Sequence, residues 1–224
     1  MSFFTKHYFD FFAELEQNNN KAWFDIHRNE YEQYVKNPFK KFTQHILDEL
    51  AKKDKSIFTN ASKCIFRINK DIRFSKDKSP YKLNMAAVFG RGGTKDFRPS
   101  NYIHLGHKEL FIGGGMYMVD KGQLQPIRQE IFYNETEFSS IVNNKKFKQL
   151  YGGLLGEKNK VLPSEYKEFS SSQPYIANKQ FYCSAKLTKK EILADNFDKI
   201  VLEYFDAIKP LNNFLMNAIG ENDN

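Results

Sequence analysis

The hydrophobic period changes twice along this chain, and that change limits its fold more than any other feature. Phe4, Tyr8, Phe11, Phe12 and Leu15 recur at helical spacing and stop at Asn18-Asn19-Asn20, whose short amides favour turns and caps over helix. Trp23, Phe24, His27, Tyr31, Tyr34 and Val35 repeat the period. Asn37-Pro38 then offers an N-cap and a first-turn proline for a third helix through Phe39, Phe42, Ile46, Leu47 and Leu50. From Cys64 to Phe74 the period drops to two. Cys64, Phe66, Ile68, Ile72 and Phe74 alternate with Ile65, Arg67, Asn69, Asp71 and Arg73, which predicts a strand with one buried face.

Further strands are predicted at Leu83 to Phe89, Tyr102 to Leu105 and Leu110 to Ile112, separated by glycine-bearing turns. Helical spacing returns at Leu124 to Phe132, Glu137 to Val142 and Phe147 to Tyr151, where Gly152-Gly153 reads as a stop. Gln180 to Leu187 is a last strand. Thr188-Lys189-Lys190-Glu191 has capping-box spacing, and Phe197, Ile200, Val201, Tyr204, Phe205 and Ile208 form a closing amphipathic helix with Pro210 beyond it. The reading is α+β: N-terminal helices, a central antiparallel meander and C-terminal helices. With no composition break in 224 residues, it is a single domain over 1–220 with a flexible tail at 221–224.

Aromatic residues make up 16% of the chain, enough for a large aromatic core. No stretch reaches the roughly 18 apolar residues of a membrane span, and the N-terminus lacks a signal-peptide pattern, so no membrane partner and a cytoplasmic location are expected. Cys64 and Cys183 are too few for a disulfide framework and read as reduced, packed thiols.

The charge is uneven. Between Lys63 and Lys82 stand seven basic residues against Asp71 and Asp77, a net of +5 out of +7 for the whole chain. On a strand, Arg67, Asp71 and Arg73 would share one face, and two arginines about one aspartate form a fork suited to a carboxylate or phosphate. The turn Asp77-Lys78-Ser79-Pro80-Tyr81 would bring its own side chains over that face. The opposing reading is a cross-strand salt-bridge ladder with no ligand.

The run Arg67, Asp71, Arg73-Phe74, Asp77-Lys78 and Tyr81 resembles the signature of an uncharacterised bacterial domain family, DUF2461, also met in some fungi. Lys70 stands where that family usually has arginine. Asn19, Trp23-Phe24, Tyr31, the run Gly113 to Tyr117 and Arg128 are also similar to it, so the resemblance covers essentially the whole chain. It implies no reaction, and it favours the charge cluster as a site.

The expected cast is therefore Arg67, Arg73 and Arg128 for ligand binding, with Asp71, Asp77, Lys78 and Tyr81 for any proton transfer. Together they describe an enzyme or ligand-binding domain for a small anionic group. A non-catalytic nucleic-acid or protein interaction module is the alternative. It is placed second because no helix-turn-helix or RNA-recognition signature is visible. Gly113-Gly114-Gly115 lacks the lysine of a phosphate loop and reads as a bulge or strand-end kink. His104 and His107 lack nearby acidic or cysteine ligands in sequence, so neither a metal nor a cofactor is expected. No oligomeric state is fixed by the sequence.

Overall fold

The computed structural model describes residues 2–58 and 60–220; the expected tail at 221–224 lies outside the described residues. The architecture is α+β, with a four-stranded antiparallel sheet in the order β1-β2-β3-β4. No helix among the described residues is long and apolar enough to cross a membrane.

Helix α1 (Lys6–Gln17) buries Tyr8, Phe9, Phe11, Phe12 and Leu15 and ends at Asn18. Asn20 caps α2 (Lys21–Ile26) by accepting the Trp23 N–H. The chain then winds through Arg28–Glu30 and a π-helical stretch, Tyr31–Lys36, directly into α3 (Asn37–Lys53). The α-helix does begin at Asn37-Pro38 as predicted, but Asn37 is not its N-cap: it is itself helical, and its N–H donates to the Glu32 carbonyl five residues back. Proline has no N–H and crowds the preceding turn, and the wider winding ahead of Pro38 takes up that mismatch without ending the helix.

Strands β1 (Asn84–Phe89), β2 (Ser100–Gly106), β3 (Leu110–Met116) and, after a helical stretch, β4 (Phe181–Lys186) form the meander. The intervening helices include α4 (Lys121–Tyr133), α5 (Glu135–Val142) and α6 (Lys145–Tyr151), the last stopped by Gly152 at φ 76°. The Thr188 capping box forms as its spacing predicts. The closing helix α7 (Phe197–Ile219) carries Pro210 inside it.

The chain divides into two compact units whose segments interleave along the sequence. One comprises the residues up to Asp96 with Tyr102–Ile112 and Lys186–Leu202. Its core is aromatic: Phe42 stacks on Phe197 with ring centres 5.1 Å apart, and Phe4, Tyr8, Phe12 and Phe39 are buried around them. Each such ring contributes about 1.5–3 kcal/mol by leaving water. The Tyr8 hydroxyl donates to the Leu105 carbonyl at 2.9 Å, anchoring α1 on the face of β2 that carries the buried Ile103 and Leu105. The alternate residues, Tyr102 and His104, point the other way and stay half-buried.

The other unit comprises Phe97–Asn101, Gly113–Ala185 and the residues from Glu203 on. Its core gathers Ile127, Ile131, Phe138, Phe147, Phe181, Leu211 and Phe214. Here the glycine run has a packing role: a Cβ on Gly113 would run into the Cys183 carbonyl, and one on Gly115 into that of Phe181. Gly115 also holds φ at 93°, a left-handed conformation that a side chain disfavours. Gly115→Ala should therefore lower stability by about 2–4 kcal/mol, read from urea unfolding.

One predicted strand does not form. Ala61–Cys64 is a helical turn capped by Asn60, and beyond it the chain is extended but pairs with the β1 arm only at isolated bridges, Ile65 with Ala87 and Asn69 with Tyr81. Pro80 has no N–H for a ladder, and Asp71 and Asp77 take the N–H groups of Arg73 and Ser79, turning the chain aside. Ile68 is buried, but Phe74 is 95% exposed rather than in the core.

Candidate functional site

The segment from Arg67 to Lys82 is a loop whose two arms run antiparallel. The Lys82 N–H donates to the Ile68 carbonyl and the Lys70 N–H to that of Pro80, both at 2.8 Å. Its far end is tied to the N-terminal helices through Tyr81. The Asn19 side chain accepts the Tyr81 N–H at 3.1 Å and donates to the Tyr81 carbonyl at 3.0 Å, replacing a strand neighbour. The Tyr81 ring stacks on Phe24 at 4.0 Å, and Phe24 packs on Tyr31. Burial raises the Tyr81 phenol above its ordinary pKa, with the Asp25 charge adding to the effect.

Both aspartates are engaged inside the loop. Asp71 binds the Arg73 guanidinium through both oxygens, at 3.0 Å to Nε and 2.6 Å to a terminal nitrogen, so its carboxyl titrates below the usual range. Asp77 accepts from Lys70 Nζ at 2.6 Å and from the Ser79 N–H and hydroxyl at 2.9 Å each. The Lys70 bond, then the two from Ser79, hold its carboxyl far below the usual range. Lys78 Nζ donates to the Ile72 carbonyl at 3.0 Å.

Arg67 and Lys82 differ. Arg67 is exposed, Lys82 is half-buried, and neither has a carboxylate or hydrogen-bond partner among the described residues. Lys82 Nζ lies 5.8 Å from the Phe66 ring centre. Burial lowers the Lys82 pKa, and the nearby Arg67 charge lowers it further. Two like charges held close on one loop without a salt bridge are an arrangement that an anion relieves.

Of the expected residues, the loop thus brings Asp71 to Arg73 and turns Lys78 onto the backbone, while Tyr81 points into an aromatic stack. Arg128 belongs to the other unit. It is 5% exposed, and its Nε donates to the Ile176 carbonyl at 3.0 Å and a terminal nitrogen to that of Asn178 at 3.4 Å. Burial lowers its pKa. Sequence reading passed over Lys82, which carried no signal beyond its place next to Tyr81.

Cys64 and Cys183 are free and buried, and burial raises both thiols, away from the reactive thiolate. Glu14, His27 and Glu30 bring one donor atom each within 4.8 Å of one another, an open surface grouping in which His27 stacks on Trp23 at 4.1 Å.

A family model described as "Conserved hypothetical protein (DUF2461)" matches residues 7–214. The chain belongs to that family. A search of curated proteins finds no match.

Two outcomes test these assignments. Arg128→Met leaves two buried carbonyls without donors and should cost about 2–3 kcal/mol in urea unfolding. Asp77, with its folded pKa depressed, lends the loop stability that is fully present above the ordinary carboxylate value of about 3.9 and is lost as pH falls toward the folded pKa. The Ser79 amide resonance should therefore titrate below about pH 3.9. A midpoint at or above that value means the Lys70–Asp77–Ser79 clamp does not form in solution.

Proposed function

We propose that this protein is a ligand-binding domain that recognises an anionic group, phosphate or carboxylate, at Arg67 and Lys82. The observation that carries the reading is the pairing of two neighbouring cations on a tethered loop, neither of whose side chains makes a salt bridge or hydrogen bond among the described residues. Arg67 offers a planar fork and Lys82 a partly desolvated point charge, a combination that strengthens contact with an incoming anion.

In this reading Arg73, Asp71, Lys70 and Asp77 form the scaffold. A carboxylate held ionised by a bidentate arginine or a bonded lysine is a poor proton carrier near neutral pH, where a general acid or base works best with a matched pKa. Lys78 and Tyr81 serve the same scaffold through the Ile72 carbonyl and the Phe24 stack. The reading therefore needs no catalytic step.

Inorganic phosphate at millimolar concentration should raise the melting temperature of the parent protein, and Arg67→Ala combined with Lys82→Ala should abolish that rise while leaving the ligand-free melting temperature within about 2 °C. Arg73→Ala should keep the phosphate response. If the double variant responds like the parent, the anion site is elsewhere or absent.

A further inference from the structure

Beside the Arg67 and Lys82 pair, a row of rings lies on one side of the sheet. Tyr102 and His104 leave β2 on the side opposite its buried Ile103 and Leu105. Phe111 sits between the buried Leu110 and Ile112 on β3, and Phe66 joins through its N–H bond to the Ala86 carbonyl of β1. Ring centres step from Phe66 to Tyr102 at 6.1 Å and from Tyr102 to Phe111 at 5.8 Å, with His104 stacked on Phe111 at 4.5 Å. All four are half-buried rather than sealed in the core. Their polar edges are joined by the Tyr102 hydroxyl, 3.3 Å from His104 Nδ1. Lys82 Nζ over Phe66 ties this ring row to the cation pair.

The loop's charge extends further than one phosphate requires. Asp71 and Asp77 form salt bridges with Arg73 and Lys70, and Lys78 is held on the Ile72 carbonyl, while Arg67, Lys76 and Lys82 make no salt bridge among the described residues. Cations without salt bridges along a loop, beside rings spaced about as far apart as successive splayed bases, match a strand that alternates phosphates with planar bases.

We infer that this face binds single-stranded nucleic acid, with phosphates along Arg67, Lys76 and Lys82 and bases against Phe66, Tyr102 and Phe111. The inference rests on the proposed anion site and names its ligand. Stacking on rings needs no particular base, so binding is expected to be tolerant of sequence.

The test is fluorescence anisotropy of a labelled oligothymidylate of about a dozen nucleotides, run with the full chain beside the phosphate melting assay. The strand should bind more tightly than a duplex of equal length or thymidine monophosphate. Affinity should fall with salt at a log–log slope of about −2, as three phosphate contacts imply. Phe66→Leu and Phe111→Leu keep apolar volume but lose the flat ring, and each should weaken the strand about five- to fiftyfold with the phosphate response intact. Arg67→Ala with Lys82→Ala should remove both responses. A phosphate response with no strand binding overturns the strand inference and leaves the anion site standing. Loss of both in the parent overturns both. Strand binding indifferent to the two leucine variants, or matched by duplex or monophosphate, overturns the stacking assignment.

Discussion

The geometry of the basic loop depends on one junction, the grip of Asn19 on the backbone of Tyr81. A loop of this length carrying six cations has little reason to hold one shape, since like charges spread an unsupported chain. The Asn19 amide supplies both a donor and an acceptor to Tyr81, and the Tyr81 ring rests on Phe24, whose neighbour Tyr31 begins the π-helical stretch. Backbone groups satisfied at a buried position resist opening, because releasing them leaves polar atoms without partners. The charges after Arg67 are thereby held against a fixed base.

Within that frame, the two aspartates decide which cations remain available. Each acid serves both side chains and a backbone N–H: Asp71 those of Arg73, and Asp77 the Lys70 amine with the Ser79 hydroxyl and N–H. Their exposed positions keep the net worth of each ion pair small. Their larger effect is on conformation, since an aspartate that takes a backbone N–H two residues on competes with a strand ladder. The same contacts that shape the loop leave Arg67 and Lys82 without a salt bridge among the described residues, Asp71 acting on Arg67 only through space.

Much of the fold was legible because it follows from period and punctuation. The strands from Asn84, Ser100, Leu110 and Phe181 and the helices ended at Asn18 and Gly152 lie within a few residues of where alternation, glycine and asparagine put them. Two local features were not legible. Asn37-Pro38 has the composition of an N-cap and first turn, and only the i to i−5 bond from Asn37 shows how a proline can be passed without a break. Residues 64–74 have the alternation of a strand, but alternation records which side chains could share a face and not whether a neighbour's N–H groups are free to pair. Pro80 removes one donor on the opposite arm, and the aspartates divert others.

The candidate site was legible in its place and less so in its membership. Charge density pointed to the segment from Arg67 to Tyr81, yet a count of charges cannot tell a neutralised arginine from a bare one. Arg73 and Arg67 look equivalent in sequence. In three dimensions Arg73 is chelated by Asp71 two residues away, a distance at which a carboxylate can reach both the side chain and the backbone, whereas Arg67 has no acid so close. Arg128 shows the converse: Glu130, two residues away, bonds Asn134 instead, and the buried arginine meets two backbone carbonyls. What marks a cation as available is therefore the absence of a short-range acceptor together with incomplete desolvation. By that criterion Lys82, which sequence alone does not distinguish from its neighbours, stands beside Arg67.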